Sequence, residues 1–443
     1  MPVWSRVAKC CWYSLADVLI LQYNRYCSMV LIVNTSERTG GAAIAANRLM
    51  KALNKNGIAA KMLVLHKNTD SPQVYTVGKR LWQKFTFLWE RFVIYTHNRF
   101  SRQNLFSVSL ADTGFDITKT PEFQAADVIH LHWINQGFLS IKNLQKILAS
   151  GKPVVWTLHD MWAFTGICHY AGSCSLYTDQ CHNCPLLLTN RKKDLSYRIF
   201  NKKRKLFQKG KICFVGCSHW IADQARKSAL LQDSIITDIP NTIATDVFQP
   251  ADKYRIREKY KLPQDKKLLL FGAMNINDKR KGVDYLIDAC KHLSIVHPDL
   301  CKEIGLVFFG SNTAQYANLF PFPCFPLPYI NQESNLAEIY NAVDLFVTPS
   351  LQDNLPNTIM ESLACGTPCV GFNIGGIPEM IDHLLNGYVA EYKSAEDLAN
   401  GIHHVLTHPD YAGLCNNARQ KVLSCYAGKV IAQRYNEIYK VSF

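Results

Sequence analysis

Short apolar runs rich in β-branched residues alternate along this chain with stretches whose apolar residues recur every three or four positions. "MVLIVNTS" (29–36), "AAKMLVLH" (59–66), "ADVIHLHW" (126–133), "KPVVWTLHD" (152–160) and "GKICFVGCS" (210–218) read as buried parallel strands. "GGAAIAANRLMKALNKNG" (40–57) reads as a helix ended by Gly57. After a Pro- and charge-rich connection at 239–267 the alternation resumes. Its strands are "LLLFGAM", "IGLVFFG", "CFPLPY", "DLFVTPS" and "TPCVGF", and its helices are "GVDYLIDACKHLSIV", "NLAEIYNAV" and "LPNTIMESLAC". Strands alternating with helices predict an α/β chain of two doubly wound domains, with ligands bound at the carboxyl ends of the strands. The boundaries expected are 29–240 and 241–425, with 426–443 a terminal helix that can cross back to the first domain. Residues 1–28 do not fit this rhythm. Asp17 interrupts their apolar stretch, no small-residue cleavage site follows, and Met29 opens a complete strand, so they are expected to be a non-native or disordered extension.

Composition narrows the picture only a little. The chain has 443 residues, 48% hydrophobic and 19% charged, a globular balance. No apolar run approaches the ~18 residues needed to span a bilayer. A net charge of +14 favours anionic partners without choosing among nucleotides, nucleic acid and an acidic membrane face. Sixteen cysteines in so large a potential core argue against a secreted disulfide framework and for a reducing cytoplasm.

The candidate chemistry concentrates in "PSLQDNLPNTIMESLACGTPCVGFNIGGIPE" (349–379). Asp353 falls in the loop after a strand. Pro356 suits the first turn of the following helix, and Gly366 ends it. The free N–H groups at that helix start, from Asn354, Leu355, Asn357 and Thr358, suit a diphosphate. Glu361, one turn further in, can accept both hydroxyls of a ribose, and Asp353 can hold hydroxyls of a sugar beyond the phosphates. Gly375 and Gly376 add a tight backbone turn. Together these features predict a nucleotide-sugar cradle.

The spacing acid-x₇-Glu followed by "SLACGTPCVGFNIGGIPEMID" resembles the retaining glycosyltransferases of family 4, which have the GT-B fold of two Rossmann-like domains facing across a cleft. The resemblance runs from Met29 to about residue 430. It includes "NTSERTGGAAIAANRLMKAL", "WTLHDMW" and "DKRKGVDYLIDA", and within the family it leans toward enzymes of colanic-acid and capsule polysaccharide synthesis. Two departures stand out. The first acid is Asp353 where the family usually has Glu, and Gly272-Ala273 stands where the family usually has Gly-Arg, so Arg280 is the candidate to supply the missing charge. The resemblance implies transfer with retention from a UDP- or GDP-linked sugar to a saccharide or polyprenyl-diphosphate-linked acceptor. It implies front-face attack without a protein nucleophile. His159 would meet the donor sugar, Asp160 would orient His159 or the acceptor, and Gly40-Gly41 would approach the diphosphate. His132 is a weaker candidate, and Ser218 and Asn241 are expected on the hinge side. With no Asp-x-Asp in the chain, Arg280 and Lys281 are expected to neutralise the leaving group without metal.

Two further stretches carry expectations of their own. "KRLWQKFTFLWERFVIYTHNRFSR" (79–102) places Trp82, Phe85, Trp89 and Phe92 at helical spacing among Lys79, Arg80, Lys84, Arg91, Arg99 and Arg102. The segment 191–211 holds ten basic residues against one acid. Both suit peripheral binding to an anionic membrane, at the inner face of the cell membrane, or else packed helices with solvated basic rims. Cys168, Cys174, Cys181 and Cys184 have the spacing C-x₅-C-x₆-C-x₂-C, expected to hold a structural zinc, with no cofactor for catalysis. A basic zinc protein that binds nucleic acid explains charge and cysteines but not the second domain, so no nucleic acid is expected. A sugar-nucleotide epimerase of the same fold needs no acceptor surface.

Overall fold

A computed structural model describes residues 29–189, 191–311, 314–328, 330 and 332–440, and the expectation for residues 1–28 lies outside them. Seven strands form the first sheet: β1 (Val30–Ser36), β2 (Ala60–His66), β3 (Val74–Thr76), β4 (Val128–Leu131), β5 (Val154–Leu158), β6 (Cys213–Gly216) and β7 (Ile235–Asp238). Their order is β3-β2-β1-β4-β5-β6-β7, parallel throughout. Six strands form the second: β8 (Lys267–Asn275), β9 (Ile304–Ser311), β10 (Cys324–Leu327), β11 (Leu345–Thr348), β12 (Cys369–Phe372) and β13 (Gly387–Ala390). Their order is β10-β9-β8-β11-β12-β13, again parallel. Strands such as β1, β4, β5, β11 and β12 are buried along their whole length, because helices cover both faces. In each sheet the order reverses beside the first strand of the domain, β1 or β8, and loops at those carboxyl ends meet.

The last helix, Gly428–Lys440, lies on the first sheet. Ile431, Ala432, Tyr435 and Tyr439 share a core with Val30, Ile32, Val128, Val155 and Val215. Two hydroxyls pin it there. The Tyr435 hydroxyl and Thr157 Oγ1 are 2.8 Å apart, and the Tyr439 hydroxyl and His130 Nδ1 are 2.7 Å apart. Among the described residues no helix is long and apolar enough to cross a membrane.

Candidate functional site

The loop after β11 is shaped by its neighbours. Gly375 has φ +58, and a Cβ there would come within 1.8 Å of Asp353 O. At Gly376 a Cβ would meet Asn354 O at 2.2 Å, where the Gly376 amide now donates at 2.7 Å. The glycine pair is therefore a backbone-to-backbone contact that fixes the Asp353 loop. Gly282 does the same on the other side, with φ +70 and Pro349 O 1.9 Å from its would-be Cβ. The Leu351 amide donates to Arg280 O at 2.7 Å, so the Arg280-Lys281 turn and the Asp353 loop move as one body.

Within that body the charges are paired. Lys281 Nζ donates to Asp353 Oδ2 at 2.7 Å. Arg280 forks onto Asp278, Nε to Oδ1 at 3.1 Å and Nη2 to Oδ2 at 2.7 Å. That bond, above all, raises the Arg280 pKa, with Tyr170 and Asp353 contributing. The Arg280 side chain is 53% exposed.

The helix Asn357–Ala364 begins after Pro356. Asn357 Nδ2 donates to Gly41 O at 3.1 Å, and Asn241 Nδ2 stands 3.4 Å from Asn357 Oδ1. This brings the second-domain helix against the glycine loop of the first, where Gly40 has φ +92. Thr358 is partly exposed on the first turn, whereas Leu355 is packed in the core and offers only its backbone. Asn354 is also not free. Its Nδ2 donates to His159 O at 3.1 Å and its Oδ1 accepts from Ser218 Oγ at 2.5 Å, so its side chain is a pin between the domains.

Glu361 departs from expectation in its partners. Oε1 accepts from Arg48 Nη2 at 2.7 Å and Oε2 from the Tyr340 hydroxyl at 3.2 Å. Arg48 lies on the first-domain helix Gly41–Lys55, and its Nε also donates to Glu333 Oε1 at 2.8 Å. Burial pushes the Glu361 carboxyl up, with Glu333 adding to it and Arg48 opposing. Arg48 Nη1 is buried without a partner, an orphan donor that costs about 1–3 kcal/mol unless a ligand or water meets it. The sequence held a signal: Arg48 is three residues after Ala45 and four before Ala52, inside the apolar stripe of its helix. Glu379 was likewise not read as a site residue. Both its oxygens accept at 2.7 Å from the amides of His219 and Trp220, capping a first-domain helix from across the cleft.

His159 is oriented by His132, not by Asp160. His159 Nε2 and His132 Nδ1 are 2.8 Å apart. Asp160 is spent on the wall: Oδ2 accepts from Trp133 Nε1 at 2.8 Å and His169 Nδ1 at 2.6 Å, and Oδ1 from the Trp162 amide at 2.8 Å. Burial lowers the His159 pKa to about 4 against the pull of Asp160, and lowers His130 to about 3 and His132 well below its ordinary value. All three are neutral at pH 7. Tyr170, from the same wall, has its hydroxyl pKa raised by burial and by the nearby Asp353 and Asp160.

An acid sensitivity follows from this cluster. A folded pKa below the unfolded ~6.5 gives stability that is complete above pH ~6.5 and is lost as pH falls toward the folded values. Protonating His130 would also place a charge between Tyr439 and Thr157. The thermal midpoint should therefore fall between pH 6.5 and 4, and His130→Gln should flatten that slope. An unchanged slope in the variant would assign the sensitivity to other groups.

The aromatic helix Arg80–His97 is inverted relative to a packed amphipathic helix. Its buried residues are Thr86, Glu90, Arg91 and Ile94. Glu90 Oε1 accepts from the amides of Leu110 and Ala111 at 2.6 and 3.0 Å, and Oε2 from Arg91 at 2.9 Å. Arg91, read from sequence as part of a basic surface, is inside. Trp82, Phe85, Leu88, Trp89 and Phe92 face out, and Leu81 is 81% exposed. In the basic segment 191–211, Lys203 is likewise inside rather than on the surface.

Residues 265–408 match the family profile described as Glycosyl transferases group 1. The chain is 24% identical over 207 residues to the N-acetyl-alpha-D-glucosaminyl L-malate synthase of Bacillus anthracis, covering 46% of this chain and 53% of that one. It is 33% identical over 112 residues to the N,N'-diacetylbacillosaminyl-diphospho-undecaprenol alpha-1,3-N-acetylgalactosaminyltransferase of Campylobacter jejuni, covering 25% and 30%. The chain spans about half the length of the first curated relatives it matches. Its fold is similar to that of Anabaena HepE, solved with UDP and glucose, with a TM-score of 0.60 at 15% identity over 93% of this chain and 99% of that one. The chain has the GT-B fold, and residues 265–408 of its second domain match the group 1 glycosyltransferase profile.

Proposed function

We propose that the chain transfers a sugar from a UDP- or GDP-linked donor to a saccharide acceptor carried on polyprenyl diphosphate. Transfer retains configuration, needs no metal, and serves surface polysaccharide assembly at the inner face of the cell membrane. One observation carries this reading. Lys281 and Arg280, each paired with a carboxylate, and the start of the helix Asn357–Ala364 lie together, and that helix meets Gly41 and the His159 loop of the other domain. HepE, of the same fold, holds UDP and glucose, and the Campylobacter relative is named for a diphospho-undecaprenol acceptor.

In this reading the donor diphosphate lies on the helix start and takes Lys281 from Asp353. The freed Asp353 accepts from the transferred sugar's hydroxyls. Neutral His159 hydrogen-bonds the same sugar, its ring held by His132. The ribose shares Glu361 with Arg48. The C–O bond to the phosphate breaks as the acceptor oxygen attacks from the same face, and the departing phosphate takes the acceptor's proton. Lys281 and Arg280 stabilise the charge that develops, an effect of order 10²–10³ in rate per donor. A panel of nucleotide sugars assayed with EDTA tests the scheme. Transfer should persist in EDTA, and Lys281→Ala should lower kcat/KM by about 10²-fold or more. Strict dependence on a divalent ion, or full activity in Lys281→Ala, would overturn it.

A further inference from the structure

The wall behind His159 and Asp160 is built from a segment with almost no regular structure. Between Cys168 and Cys184 it holds one 3-10 turn, Leu176–Thr178, and one isolated bridge from Cys168 to Val108. Cys168, Cys174, Cys181, Cys184 and His182 nevertheless line a single cavity of about 20 Å³, room for one water-sized occupant. All four cysteines are free, and Cys181 and Cys184 are buried.

Burial raises the thiol pKa values of Cys168, Cys181 and Cys184 above their ordinary range, so these sulfurs become anionic only against a cation or N–H donors. The Gly166 amide donates to Cys181 Sγ at 3.2 Å. N–H donors of this kind stabilise a thiolate over a thiol. Lys203 reaches in from the helix Leu195–Phe207 and is 1% exposed. Its ammonium donates to the carbonyls of Trp162, Thr165 and Gly166 and lies 3.5 Å from the centre of the Trp162 ring. Among the described residues no carboxylate forms a salt bridge with it, and burial lowers its pKa to about 7 against the pull of Cys168, Cys181 and Asp160. A buried ammonium without a counter-ion is costly, and thiols do not supply one. His182 Nδ1 is buried with no hydrogen-bond partner.

We propose that Cys168, Cys174, Cys181 and Cys184 close on one structural zinc ion. Four Zn–S bonds form as four S–H protons leave to solvent, giving a complex of charge −2 with Lys203 as its counter-ion. His182 is the alternative ligand should one thiolate be absent. Among the described residues no three His, Cys, Asp or Glu are already gathered to hold an ion, so ligation draws the four sulfurs inward onto the cavity they line. Four thiolates leave no open position, so the ion does no chemistry on substrate. It orders the wall that carries His169 and Tyr170, between the first and second cysteines. The proposal is independent of the transfer reaction.

The test uses the full chain purified without added metal, and elemental analysis rather than activity. About one zinc per chain is expected, absent from Cys181→Ser/Cys184→Ser. The native thiols should resist a thiol reagent until a strong chelator is added, after which the thermal midpoint should drop by several degrees. Cobalt(II) put in place of zinc should give intense thiolate-to-cobalt absorption and the bands of a tetrahedral site. The cobalt and thiol measurements are made on the unaltered chain, so they decide the matter even if the double variant fails to fold. A native metal-free chain that takes up no cobalt, cysteines found paired as disulfides, or zinc retained by the double variant would each overturn the proposal.

Discussion

Replacing Arg48 with alanine is expected to destabilise the protein by about 3–5 kcal/mol at pH 7, the usual cost of breaking a buried ion pair from one side. The Arg48 and Glu361 side chains are each only 4% exposed, so water cannot take over the lost bonds. Glu361 would keep the Tyr340 hydroxyl, and Glu333 would repel it across the gap. The sign of the pH effect follows. Without Arg48 the Glu361 carboxyl rises further above its unfolded value of 4.5, and a raised carboxyl costs stability only where the unfolded chain is ionised. The deficit should therefore shrink as pH falls toward 4.5, and Glu361→Gln should restore part of the loss at pH 7. Urea unfolding midpoints at pH 7 and pH 5 measure both effects. A midpoint unchanged at pH 7 would show that the ion pair across the domains contributes nothing. The pair also bears on ligand entry, because Arg48 belongs to one domain and its two acids to the other.

This ion pair marks the limit of what the sequence could show. Strands with dense apolar, β-branched runs were legible, because burial on both faces leaves no polar alternation to confuse. The strands not read were β3, three residues at the end of a sheet, β7, whose Ile235 is exposed at the other end, and β13, whose Gly387 opens it with φ +159. Short edge strands carry little apolar signal. In the candidate site, the grouping of Asp353, Lys281, Gly375 and Gly376 was legible from local spacing, since all lie on one loop and its neighbours. Partners across the cleft were not. Arg48 and Glu361 are 313 residues apart, and His219 and Glu379 are 160 apart. Spacing could not show that Asn354 would be spent on Ser218 and His159, or Asp160 on Trp133 and His169. Each is a polar group that folding assigns to whichever buried donor lies closest. Helical spacing also gave the stripe on Arg80–His97 correctly but not which face turns inward. The inward face carries Glu90, which accepts from the amides of Leu110 and Ala111.

The outward turn of that stripe leads to the second large effect. Trp82, Phe85, Trp89 and Phe92 follow one another along the helix with neighbouring ring centroids 5.2 to 6.1 Å apart, and each is at least 42% exposed. Exposed Lys79, Arg80, Lys84, Arg99 and Arg102 border them. A soluble surface gains nothing from such a stripe, whereas a bilayer gains from both parts. On the proposed membrane surface the rings would enter the boundary between headgroups and acyl chains, and each cation near an anionic leaflet would contribute about 1 kcal/mol. Full burial of an aromatic side chain is worth about 1.5–3 kcal/mol. These rings are 42–58% exposed, so about half of that is available to each, and Trp82→Ala/Phe85→Ala/Trp89→Ala should then cost about 2–4 kcal/mol of membrane affinity, a partition about thirtyfold to a thousandfold weaker. Vesicles of phosphatidylglycerol and phosphatidylethanolamine, sedimented with the full chain, measure it. The same vesicles without phosphatidylglycerol should bind weakly, and rising salt should release the protein, because the cations act only within a Debye length. The folded state should hardly change, since the substituted rings touch one another rather than the core. Equal binding by the triple variant and the unaltered chain would remove this helix from the membrane face.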